Sequence, residues 1–152
     1  MHIQGYWPNH ALYRDPGPMS ALDLVLNIIW LILGGLPAAV GWLIAGVIMA
    51  ITIIGLPWAF AAFRIALYTL LPFGNEMRTR PEAGILSTLG NIVWFILAGW
   101  WLALWHLVWA IALAITIIGL PFAWAHLKLA GASLFPVGKE IVPRGTPPMV
   151  AY

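Results

Sequence analysis

Cysteine is absent from all 152 residues, which removes disulfides, thiolate metal sites and iron–sulfur clusters. Charge is nearly as scarce. Charged residues make up 8% of the chain, against the ~25% usual for a soluble domain, too few to solvate the surface of a water-borne fold. The acids number five, Asp15, Asp23, Glu76, Glu82 and Glu140, and none lies within the long apolar runs. There is no Gly-x-Ser-x-Gly, no phosphate-binding glycine loop and no dinucleotide fingerprint. His106 and His126 have no partner at His-x-x-x-His or Glu-x-x-His spacing, so no metal, haem or other cofactor is expected. An enzyme is not expected either. The net charge of +2 carries no signal for nucleic acid. Residues 1–21 lack a basic segment leading into an apolar one, so a cleavable signal peptide is not expected.

What is abundant is apolar. Hydrophobic residues reach 62% and the mean hydropathy is +0.93. No residue is ionisable from Leu24 to Phe63, or from Leu86 to Trp105. Each run meets or exceeds the ~20 residues that a membrane helix needs.

The strongest pattern is a duplication. Ile51-Thr-Ile-Ile-Gly-Leu-Pro57 recurs unchanged as Ile115-Thr-Ile-Ile-Gly-Leu-Pro121, and an offset of 64 lays Leu22–Glu76 onto Leu86–Glu140 with 24 of 55 positions identical. Two copies of one structural unit follow. The boundaries read as an N-terminal tail (1–21), repeat 1 (22–76), an inter-repeat loop (77–85), repeat 2 (86–140) and a C-terminal tail (141–152).

Within repeat 1 the punctuation predicts helices at 22–34, 38–54 and 58–71, separated by Gly34-Gly35-Leu36-Pro37 and Gly55-Leu56-Pro57. In repeat 2 the first break becomes Ala98-Gly99-Trp100-Trp101 and lacks proline; whether the break near Gly34-Gly35 and that near Gly99 are turns or kinks stays open. The third segments, at 14–15 residues or ~21 Å, are too short for a ~30 Å hydrocarbon core. The expected fold is an all-α integral membrane protein of two tandem parallel repeats, each with two spanning helices and one interfacial helix on the cytoplasmic side. All seven cations (Arg14, Arg64, Arg78, Arg80, Lys128, Lys139, Arg144) lie in the tails, the inter-repeat loop or the segments just before them. Lys- and Arg-rich short segments stay cytoplasmic, so both termini are expected there, in a multi-pass bacterial inner-membrane protein.

Candidate residues are few. Asn27 and Trp30, with their mates Asn91 and Trp94, open the repeats; an amide in hydrocarbon bonds across helices or lines a path, here together with Thr52 and Thr116. Gly46 and Ala50 match Ala110 and Ala114, a small-residue spacing suited to close helix packing. Arg64 maps onto Lys128, and both are expected to reach toward lipid headgroups. Trp101, Trp105 and Trp109 form one helical stripe, expected in packing and at the membrane boundary.

In order, Asn-x-x-Trp, a Gly-containing break, Ile-Ile-Gly-Leu-Pro, an Arg- or Lys-bearing segment and Pro-x-Gly occur twice. That order resembles the YccF family of small bacterial inner-membrane proteins, over about residues 22–141. The resemblance implies a duplicated domain and an inner-membrane location, and no established activity. Two functions fit. One is an accessory or structural subunit that binds the bilayer together with other membrane proteins or itself; the other is a small homo-oligomeric channel or transporter.

Overall fold

The computed structural model describes residues 17–147. Arg14 and the rest of residues 1–16 lie outside them, so the expectations for the N-terminal tail concern only residues 17–21 here.

Each repeat is built from one long kinked helix and one shorter helix that doubles back on it. In repeat 1, α1 (Ala21–Trp30) passes through a π-helical turn (Leu31–Gly35) into α2 (Leu36–Ile51), and α3 (Leu56–Leu70) follows. In repeat 2, α4 (Ile85–Trp94), a π turn (Phe95–Gly99), α5 (Trp100–Ala114) and α6 (Leu120–Leu134) repeat the order. Ser20 begins α1 through a reciprocal capping box with Asp23.

The first break is therefore a kink, which corrects the expectation of two spanning helices per repeat. Among the described residues, Ala21–Ile51 and Ile85–Ala114 are the two helices long and apolar enough to cross a membrane. Proline is not the common cause, because Trp101 stands where Pro37 does and the π turn persists. The shared feature is tryptophan five residues before glycine. A π turn brings i and i+5 into register, and a Cβ on Gly35 would enter the Trp30 indole, as one on Gly99 would press on the Trp94 ring and the Leu134 carbonyl. Gly34 alone leaves helical torsions, at φ 179° and ψ −13°.

At the second break the chain reverses. Gly55-Leu56-Pro57 places proline in the first turn of α3, where no N–H is needed. Thr52 closes the corner: its hydroxyl donates to Met49 O (2.7 Å) and accepts from Gly55 N–H (3.1 Å). Thr116 does the same with Leu113 and Gly119. The third segments, expected as interfacial helices, pack along the helices before them, α3 on α2 and α6 on α5.

The all-α expectation also needs correction. After Gly74 (φ 81°) and Gly138 (φ 79°), left-handed turns that suit glycine, the chain enters β1 (Asn75–Thr79) and β2 (Lys139–Pro143), which pair antiparallel. The strands straddle the proposed repeat ends at 76 and 140. Their register is symmetric: Met77 pairs with Ile141, its own mate at the offset of 64. A pseudo-twofold axis thus passes through the sheet.

That symmetry sets the hairpins head to tail rather than side by side. Trp58 in the first turn of α3 donates from Nε1 to Gly90 O in α4 at 3.1 Å. Phe122 in the first turn of α6 sits 6.4 Å from Trp30 and 6.0 Å from Phe73. Each corner therefore rests beside the base of the other repeat. Trp30, Trp42, Ile65, Tyr68, Trp94 and Leu129 lie in the core between them, whereas most large side chains on the outer faces are exposed.

Candidate functional site

The Asn-x-x-Trp pairs act as clamps. One turn of helix separates the two side chains, placing both on the face turned toward the segment that leaves α3 or α6. Asn27 Nδ2 donates to Phe73 O at 3.0 Å, and its Oδ1 accepts from Phe73 N–H at 3.1 Å. Asn91 makes the same two bonds to Val137, at 3.0 and 2.9 Å. Trp30 Nε1 donates to Thr69 O and Trp94 Nε1 to Ser133 O, both at 2.7 Å. Both ends of each amide are engaged by backbone, as buried polar groups require.

The other candidate residues fall in different places. Gly46 is buried, and a Cβ there would lie 2.5 Å from the Phe63 ring, so this position sets the close approach of α2 and α3 within one repeat. Ala110 is buried at the matching position, Ala50 is half-buried and Ala114 is exposed. Lys128, expected to reach toward headgroups, turns its ammonium to the carbonyls of Pro72 and Asn75 in the opposite repeat. Arg64 is half-buried in α3. Thr52 and Thr116 close the corners through their bonds to Met49 and Gly55, and to Leu113 and Gly119. Trp101, Trp105 and Trp109 are about half exposed, at 52, 56 and 46%.

Charge collects at the sheet. Arg78 pairs with Glu140 across the strands at 2.8 Å and also reaches the carbonyls of Thr146 and Pro147. Arg144 pairs with Asp23 at 3.1 Å, and Lys139 donates to Thr79 at 3.0 Å. Burial of the Lys139 ammonium beside the strands lowers its pKa from the usual lysine value.

Sequence spacing missed one constellation. His106 on α5 and His126 on α6 meet with Nδ1 atoms 3.0 Å apart, at a cavity of ≈ 260 Å³ lined by Trp30, Trp105, Trp109 and Phe122 among others. Trp109 stacks on His126 at 6.3 Å, and Trp30 meets it edge-on at 5.1 Å. Two neutral imidazoles at this distance share one proton, one ring donating and the other accepting. Among the described residues no third imidazole, carboxylate or thiolate completes a metal-binding group. The signal lay in the hairpin: His106 stands eight residues before the end of α5 at Ala114 and His126 six after the start of α6 at Leu120, and antiparallel helices bring such positions together.

Repeat 1 carries Trp42 and Ala62 at these positions, a large-plus-small pair in place of two medium rings. His106→Trp alone should overfill the site and destabilise the protein by about 1–3 kcal/mol. Adding His126→Ala, which rebuilds the repeat 1 pair, should recover most of that loss. Thermal unfolding in detergent of both singles and the double checks it; simple additivity would show that the two sites do not share one space.

A duplicated, cysteine-free helical unit with most of its described charges gathered at or near one small sheet and apolar side chains covering its flanks is an integral membrane protein. The family described as YccF, inner membrane component domain, matches residues 25–75 and 89–139, segments related by the same offset of 64. The chain belongs to that family. It is 40% identical over 127 residues to the inner membrane protein YccF of Escherichia coli strain K12, covering 78% of this chain and 86% of that one. The inner membrane protein YccF of Shigella flexneri matches to the same extent. No solved structure matches. The family places the protein in the bacterial inner membrane.

Proposed function

We propose that the protein is a non-enzymatic accessory or structural subunit of the inner membrane, binding other membrane proteins or further copies of itself. The observation that carries this reading is the engagement of its polar groups. Catalysis or conduction needs polar groups left free, and an ion path needs charges or a ring of carbonyls. Here the amides of Asn27 and Asn91 hold backbone at both ends, and Arg78, Glu140, Asp23 and Arg144 are paired with one another.

The surface left unengaged is apolar. Between α2 and α5 runs a groove of ≈ 370 Å³ lined by Ala38, Gly41 and Ala45 on one side and Trp101 and Trp105 on the other. Small residues on one wall allow a helix to approach closely, and tryptophans on the other supply contact area. A transmembrane helix of a partner, or of a second copy, fits that chemistry. The cations gathered at the sheet support a cytoplasmic position for it and for both chain ends.

Purification in mild detergent, followed by mass measurement and identification of retained proteins, tests the reading. A defined homo-oligomer or a stoichiometric membrane partner is expected, and Gly41→Trp should disperse it while leaving the chain folded. A folded monomer without partners would overturn the proposal. Ion flux through reconstituted wild-type protein would replace it with the small homo-oligomeric channel.

A further inference from the structure

The position of charge relative to the symmetry axis constrains how the molecule sits in lipid. Asp23, Glu76, Arg78, Lys139, Glu140 and Arg144 lie on or beside the two strands, and Lys128 binds the turn that leads into β1. Arg80 N–H is tied to Gly138 O, and Glu82 follows in the exposed loop. The axis runs through Met77 and Ile141 at the centre of this polar face. The hairpins run across it in opposite directions, since each corner contacts the base of the other repeat.

An upright placement meets two conflicts on that geometry. If the hairpins stood along the membrane normal, their corners would point to opposite aqueous sides. The sheet, lying on the axis between them, would then sit at mid-depth with its charges in hydrocarbon, where each costs at least ~2.5–3.5 kcal/mol. The corners would meanwhile present Ile51, Ile53 and Ile54, and Ile115, Ile117 and Ile118, to water. These six are 75–87% exposed and have no charged neighbour in sequence.

Turning the axis along the normal removes both conflicts. The sheet then meets water, α3 and α6 lie against it, and α2 and α5 lie beyond. Two helix layers at ~10 Å each reach ~20 Å, short of the ~30 Å hydrocarbon core. Lipid offers no hydrogen bonds, so backbone within it must be answered internally; Thr52 and Thr116 supply such bonds at both corners.

We propose that the protein is embedded from one side only: the sheet lies at the cytoplasmic boundary, and both hairpins, corners included, lie among the acyl chains without reaching the opposite aqueous compartment. The two long helices, sufficient in length to cross, run obliquely and in opposite directions instead. The inference concerns placement in lipid and stands or falls separately from the accessory role.

The absence of native cysteine makes the test direct. Single variants Ile53→Cys, Ile117→Cys and Glu82→Cys are expressed in the bacterial inner membrane and treated with a membrane-impermeant maleimide, in spheroplasts and in inverted vesicles. Glu82→Cys is expected to react in inverted vesicles only. Both corner cysteines should react from neither side, and fully once the membrane is dissolved. A fluorophore on the corner cysteines, in phosphatidylethanolamine–phosphatidylglycerol vesicles, should be quenched at least twofold more by a nitroxide on the lipid acyl chain than by one on the headgroup. Labelling of either corner from the side opposite Glu82→Cys would overturn the proposal, as would strongest quenching by the headgroup nitroxide. Corners that label from opposite sides would establish the upright, inverted placement instead.

Discussion

Replacing Asn27 by leucine is expected to be among the most damaging single substitutions, at about 2–4 kcal/mol. The figure follows from what stays behind: the N–H and the C=O of Phe73 each lose a partner, and an orphaned buried polar group costs about 1–3 kcal/mol. Asn27 is 1% exposed, so water cannot replace it. Asn91 makes the equivalent bonds from a half-buried position, and its replacement by leucine should cost less. At roughly 2–4 °C per kcal/mol for a chain of this length, thermal unfolding in detergent separates the two. No shift in either variant would show that the amides do not hold the α3 and α6 exits, and equal shifts would show that burial does not set the difference between them. Asparagine-to-aspartate variants sharpen the test, since a carboxylate retains the acceptor and loses the donor.

The second large effect is expected at Gly35. A methyl group there meets the Trp30 indole, and that ring is fixed by its bond to Thr69 O and by edge contact with His126. Gly35→Ala therefore forces either the π turn or the indole to move, with an expected cost of about 1–3 kcal/mol. Gly99 is the internal control. Its added Cβ would lie 3.0 Å from the Trp94 ring and 3.1 Å from Leu134 O, tight but closer to tolerable, so Gly99→Ala should cost less. Trp30→Leu in the Gly35→Ala background should recover part of the overpacking loss. The comparison is made on unfolding temperatures of the four variants. A Gly35→Ala protein as stable as the parent would show that tryptophan–glycine stacking does not shape the kink.

Much of the architecture was legible along the chain because it depends on local chemistry. Repetition needs no structure to be seen. The corner at Gly55-Leu56-Pro57 follows from what glycine and proline do to a helix. Asparagine in an apolar run announces a bonded partner, although not which one: Phe73 and Val137 lie 46 residues away in sequence. Along the chain Gly34-Gly35 fits a turn or a kink, because proline and paired glycines usually end helices, while in the structure the tryptophan five residues earlier packs against the turn. The strands escaped notice because five-residue segments of mixed polarity carry little signal alone, and each finds its partner only in the other repeat.

The histidine pair and the head-to-tail hairpins belong to a further level. Composition and periodicity alone determined that this is a duplicated membrane protein, since scarcity of charge and long apolar runs settle the solvent. They also determined where its helices turn, since backbone restrictions act on neighbours in sequence. Only the tertiary structure decided which way the two hairpins point, which imidazoles meet, and that charges scattered over more than a hundred residues gather on one sheet. Those outcomes depend on contacts between helices and between repeats, and a contact across 20 to 121 residues is fixed by packing and register rather than by any local preference.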